Sequence, residues 1–130
     1  MVTLAYVDTS AALKLVIEEA ESATLAEELT SSADRRLASS WLLHTELHCA
    51  AVRHPADLDL DAVRAVLDTL NLVDLTRGDM IAAGTHPALR CNGAIHLAVA
   101  IRLGVDEMVT YDGELAAAAS RAGLAVLAPR

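Results

Sequence analysis

Apolar and polar positions along this chain follow two alternating rhythms. Val2 to Val7 is a short run of apolar residues and β-formers ending at Asp8, the pattern of a strand buried on both faces. From Ala11 to about Glu18 the spacing becomes helical, with Leu13, Val16 and Ile17 on one stripe and Thr9 or Ser10 as the capping hydroxyl. A second helix is expected over about Glu21 to Ser31, a brief strand over Arg36 to Ser40, and a long helix from Trp41 to Arg53 that His54 and Pro55 stop. Another helix starts within Asp57 to Asp61, with Val63, Val66, Leu67 and Leu70 facing inward, and Asn71 to Leu75 alternates as a third strand. Gly78 to about Thr85 reads as a short helix, with Pro87 ending it or opening the next turn. Asn92 caps a strong helix that runs to Leu103 and closes at Gly104. Met108 to Tyr111 is a fourth strand ending at Asp112, Gly113 to Ala122 a helix stopped by Gly123, and Leu124 to Leu127 a last strand.

Strand and helix patterns that alternate in this way predict an α/β fold with a largely parallel, about five-stranded sheet. The 130 residues hold no repeat or linker, so one domain over 1–130 is expected. With 54% hydrophobic and 22% charged residues the chain can bury a core, which excludes disorder as a global description. Asp8, Lys14, Arg53 and Asp106 interrupt every apolar stretch before the roughly 20 residues of a membrane helix are reached. The N-terminus has no basic start and meets Asp8 early, so no export signal is read and a cytoplasmic location is expected. Cys49 and Cys91 are read as reduced, buried thiols. A net charge of −8 argues against sequence-blind adhesion to nucleic acid or anionic membrane. An acidic total can nevertheless hide a carboxylate cluster that a divalent cation neutralises.

In open parallel sheets the ligand crevice lies beyond the carboxyl ends of the strands, where Asp8 and Asp112 both fall. Either aspartate alone is equally well explained as a turn residue or helix cap; the two together point to a site. Glu46 adds to them. Its helical neighbours Leu42, Leu43, Cys49 and Ala50 make a largely apolar face, on which a carboxylate needs a partner: an Arg, a water or a metal ion.

Other candidates carry less. His44 and His48 are four apart on one helix face, a zinc-compatible spacing, yet His-Thr-Glu-Leu-His is not the metalloprotease order. His96, amid Ile95, Leu97 and Val99, reads as a satisfied buried or interface histidine rather than a base. There is no glycine-rich phosphate loop and no Ser/His/Asp assembly. Trp41, Tyr6 and Tyr111 leave little for base stacking, and the arginines are scattered. A flavodoxin-like phosphoacceptor built on Asp8 is disfavoured, because no acidic pair precedes it and the only lysine is Lys14.

Four segments together resemble the PIN domains, and most closely the VapC-type toxin ribonucleases of bacterial toxin–antitoxin pairs. They are Tyr6-Val-Asp-Thr-Ser-Ala-Ala-Leu13, Leu43-His-Thr-Glu-Leu47, Leu89-Arg-Cys-Asn-Gly-Ala-Ile-His-Leu-Ala98 and Val109-Thr-Tyr-Asp-Gly-Glu-Leu115, in order over nearly the whole chain. The resemblance implies a PIN-like three-layer α/β/α fold and an Mg²⁺-dependent endoribonuclease, Mn²⁺ being an alternative ion. By position it makes Asp8 and Asp112 metal ligands, Glu46 a ligand or water-orienting base, and Ser10 and Thr110 hydroxyls supporting them. It further implies an RNA substrate such as tRNA or rRNA, a homodimer, and a VapB-type antitoxin that silences the toxin. The departure is Gly93, which stands where the family usually has an aspartate, with Asn92 just before it. A missing acid is expected to impair the site, although a glycine there also serves a tight helix start. A PIN-like module that binds antitoxin or RNA without turnover is the alternative, and metal-dependent cleavage separates the two.

Overall fold

The computed structural model describes residues 1–86 and 88–130, so the expected break at Pro87 lies outside the described residues. In chain order the elements are β1 (Thr3–Val7), α1 (Thr9–Val16), α2 (Ser22–Thr30), β2 (Arg35–Ser40), α3 (Trp41–Arg53) and α4 (Leu60–Asp68). There follow β3 (Asn71–Val73), α5 (Arg77–Ala83), α6 (Cys91–Leu103), β4 (Glu107–Val109), α7 (Gly113–Arg121) and β5 (Ala125–Leu127). The five strands pair in the order β3-β2-β1-β4-β5, every pair parallel. The expected α/β class and five-stranded sheet are therefore found, with no antiparallel pair among the described residues.

Strand β1 lies at the centre of the sheet, and its alternation divides the core into two. Ala5 and Val7 pack with Ala11, Ala12, Leu25, Leu43, Leu47 and Val63 from α1 to α4. Tyr6 turns the other way, onto Leu97, Val99, Met108, Leu115 and Ala119 from α6, β4 and α7. Helices thus cover both faces, which is why β1 reads as a nearly continuous apolar run. At the amino ends of the strands, Arg35 Nε donates to Glu107 at 3.1 Å and the Leu4 amide to Asp106 at 2.9 Å. The acidic residues of interest lie at the opposite edge.

Several expected boundaries move. Asp8, not Thr9 or Ser10, caps α1, because its carboxylate accepts the Ala11 amide. Helix α4 begins only at Leu60, capped by Asp59, and α6 begins at Cys91 with Arg90 in the cap position, so Asn92 lies inside the helix. Strands β3 and β4 end at Val73 and Val109, earlier than their sequence patterns suggest. Gly104 and Gly123 end α6 and follow α7 at φ of 66° and 91°, the left-handed backbone that favours glycine. Cys49 and Cys91 are both free and both exposed, which corrects the expectation of buried thiols.

Candidate functional site

Asp8 follows β1 and Asp112 follows β4, and these neighbouring parallel strands bring both to one edge of the sheet. Each caps a helix: Asp8 Oδ1 accepts the Ala11 amide at 3.0 Å, and Asp112 Oδ1 accepts the amides of Glu114 and Leu115 at 3.0 and 3.3 Å. The capping explanation is thus correct for both, and it also fixes where the two carboxylates sit. Thr110 ties them together, donating to Asp8 Oδ2 at 2.6 Å and accepting the Asp112 amide at 3.0 Å. Ser10 Oγ lies 2.8 and 3.0 Å from the two Asp8 oxygens and accepts the Tyr111 amide at 2.8 Å. The supporting hydroxyls expected at 10 and 110 are therefore in contact with Asp8, which is 3% exposed. Burial pushes the Asp8 carboxyl above its ordinary value, and the bonds from Thr110, Ala11 and Ser10 only partly offset that.

Glu46 projects from α3 and finds a partner that is none of the three its sequence setting suggested. His96 Nε2 donates to Glu46 Oε1 at 2.6 Å, and Thr9 Oγ1 donates to the same oxygen at 2.7 Å. Asn92 Nδ2 donates to Oε2 at 3.2 Å. Burial alone would raise the Glu46 carboxyl, but the bonds from His96, Thr9 and Asn92 outweigh it and hold it below the usual carboxylate range. On its other side His96 Nδ1 lies 2.7 Å from the hydroxyl of Tyr6, which is itself 3.1 Å from Ser40 Oγ. Burial pushes the Tyr6 phenol up, so it keeps its proton. A chain of contacts therefore runs from Ser40 through Tyr6 and His96 to Glu46. His96 is a satisfied buried histidine, as its apolar neighbours indicated. For this role the sequence offers little signal: Thr9 reads as a helix cap and Tyr6 as a strand residue, and only their nearness to Asp8 in the opening motif points to the site.

The donors fit a hard divalent cation in kind, since Asp8, Glu46 and Asp112 all offer carboxylate oxygens. They fit less well in number. Among the described residues no three His, Cys, Asp or Glu side chains come close enough together to hold one ion, His44 and His48 included. No buried side-chain nitrogen or oxygen there lacks a hydrogen-bond partner either. Gly93 is the third residue of α6, and a Cβ built on it meets nothing within 4 Å. Room for a side chain is thus present beside Asn92, the neighbour that holds Glu46.

A family model described as PIN domain matches residues 5–120. The ribonuclease VapC35 of Mycobacterium tuberculosis is 39% identical over 130 residues, which span 95% of this chain and 96% of the relative. Among solved structures, a toxin–antitoxin complex from Klebsiella pneumoniae superposes with a TM-score of 0.72 at 19% identity, covering 97% of this chain and 98% of that one. VapC20 of M. tuberculosis, described as a sarcin-ricin loop cleaving toxin, superposes at 0.68 with 20% identity, over 88% and 94% of the two chains. At those identities the structures speak for the fold alone. The family model and the relative along almost its whole length say more: this chain belongs to the PIN domain family.

Proposed function

We propose that this chain is a VapC-like toxin ribonuclease that hydrolyses RNA phosphodiesters with Mg²⁺ or Mn²⁺, and that Gly93 impairs it. The observation that carries this reading is the pairing of Asp8 and Asp112 through Thr110 at the carboxyl edge of the sheet, in a chain 39% identical to a relative named a ribonuclease. Asp8 and Asp112 would hold the ion, with Glu46 as a further ligand or as the base that orients water. Bound there, the ion supplies an activated water and neutralises charge developing on the phosphate. The protein's own part is positional. Ser10 and Thr110 fix Asp8 in one rotamer, the amino end of α7 fixes Asp112, and His96, Thr9 and Asn92 fix Glu46. A VapB-type antitoxin is the proposed partner, its cationic segment suited to an acidic edge on a chain of net charge −8. A homodimer is the proposed assembly.

One observation favours a second reading, a binding module without turnover: every buried polar side-chain atom among the described residues is already satisfied within the protein. The test is Mn²⁺ binding by calorimetry, together with cleavage of total RNA with and without chelator, for this chain and for Gly93→Asp. A Cβ at position 93 meets nothing within 4 Å, so the variant is expected to fold, which its melting curve checks. We expect the variant to bind Mn²⁺ at least about tenfold more tightly and to cut faster. Equal binding and equal cleavage would refute the role given to Gly93, and no cleavage by either would favour the binding module.

A further inference from the structure

The sequence holds one Trp, two Tyr and no Phe, and among the described residues Trp41 alone of these rings is exposed. Tyr6 is fully buried. Tyr111 is covered by cations, Lys14 Nζ lying 4.8 Å and Arg130 Cζ 5.8 Å from its ring centre. Trp41 is 46% exposed. It has ring neighbours: its centre lies 4.9 Å from that of His44 with the planes tilted by 56°, and His44 lies 4.2 Å from His48 at a tilt of 33°. The last ring is pinned by its own helix, because His48 Nδ1 donates to the His44 carbonyl at 2.7 Å. Three rings thus stand in a row along α3, with the indole outermost.

The place of this row matters. Trp41 opens α3 directly after Ser40, the last residue of β2, so it stands at the same sheet edge as Asp8 and one strand away. At about 100° per residue, Trp41, His44 and His48 lie on the side of α3 away from Glu46. The indole therefore faces away from Glu46, so a base stacked on it would belong to a nucleotide other than the one being cut. With a net charge of −8 the chain attracts a polyanion weakly, so a contact that does not depend on charge must carry part of RNA affinity. Stacking on an aromatic face is such a contact. Resting on the RNA reading above, we infer that the Trp41–His44–His48 row is a stacking platform for an unpaired base flanking the cleavage position in single-stranded RNA.

Because Trp41 is the sole tryptophan, its fluorescence reports the contact directly. The full chain is titrated in chelator with a labelled single-stranded oligoribonucleotide of mixed sequence and with its blunt duplex. RNA anisotropy and tryptophan emission are followed together. We expect the single strand to bind and quench Trp41 and the duplex not to quench it. Trp41→Ala should weaken single-strand binding about tenfold, with little change in salt dependence, and Trp41→Phe should restore most of it. Single-strand binding with unchanged emission and an unaffected Trp41→Ala overturns the platform and leaves the nuclease reading intact. Absence of binding to any RNA overturns both. Emission that responds to an antitoxin segment and not to RNA makes the row a protein interface and also overturns the inference.

Discussion

The fold resists a charge on Asp8. Burial raises its carboxyl above the ordinary value, and a raised value contributes stability at low pH that is lost as pH climbs through it. The fold is therefore less stable at neutral than at acid pH on account of Asp8, which is what a site kept for chemistry tolerates. Asp8→Asn keeps an oxygen for the cap, and the Ser10 and Thr110 hydroxyls can turn to meet the amide. On the proposed function, the variant should melt at the same temperature or higher while cleavage falls by at least about 100-fold, more than loss of a supporting group costs. Melting and rate measured on one preparation check both halves; a clear drop in melting temperature would show that the charge stabilises the fold. Asp8 and Asp112 were legible in the sequence because each follows an apolar run whose direction a parallel sheet dictates. The partner of Glu46 was not, since His96 is 50 residues away in the chain and the two meet only because α3 and α6, which cover opposite faces of the sheet, come together at its carboxyl edge. Local spacing carries no information about which distant donor meets a carboxylate.

Helix ends divide the structural work of these residues from their proposed chemistry. Asp112 accepts two amides at the start of α7, so Asp112→Ala should cost about 1 kcal/mol and activity as well. Asp112→Ser retains a capping oxygen and should lose activity alone; urea denaturation beside the cleavage assay separates the two effects. A second helix end depends on Asp79, which is 2% exposed and forms a capping box with Thr76. Arg102 of α6 reaches it from Nε at 2.8 Å and from Nη2 at 3.0 Å, and also donates to the Asp74 carbonyl. Burial alone would raise the Asp79 carboxyl, but Arg102 and Thr76 hold it below the usual range. Its contribution is then present above an unfolded value of about 3.9 and lost as pH falls through the lower folded value. Asp79→Asn should cost about 2 kcal/mol at pH 7, solvent around the 38% exposed Arg102 limiting the figure, and should flatten the acid limb of stability. Urea midpoints at pH 7 and pH 3 that shift equally would contradict this. The periodicity located α5 and α6 but not this clamp. It also misplaced the start of α6, because Asn92 looks like a cap from sequence while its side chain is drawn to Glu46.

At the scale of the whole molecule, stability should be graded outward from β1, which lies between two cores. Amide exchange should be slowest in β1 and β4 and fastest in the short edge strand β5, whose Ala125 and Val126 are exposed. Uniform protection across the sheet would mean that the two cores do not act separately. The sheet class, the parallel direction and the helix positions were all readable, because each follows from apolar periodicity. Strand order was not, since β1 lies between β2 and β4 only through long-range pairing. Gly93 has a consequence beyond this one molecule. Since a Cβ built there meets nothing within 4 Å, the backbone at Gly93 leaves room for the first atom of a side chain. A glycine codon ending in a pyrimidine becomes an aspartate codon by one guanine-to-adenine transition at its second base. On the proposed function, a lineage carrying such a codon is a single transition from rearming a poison, and selection against that revertant should be strong wherever the matching antidote has been lost.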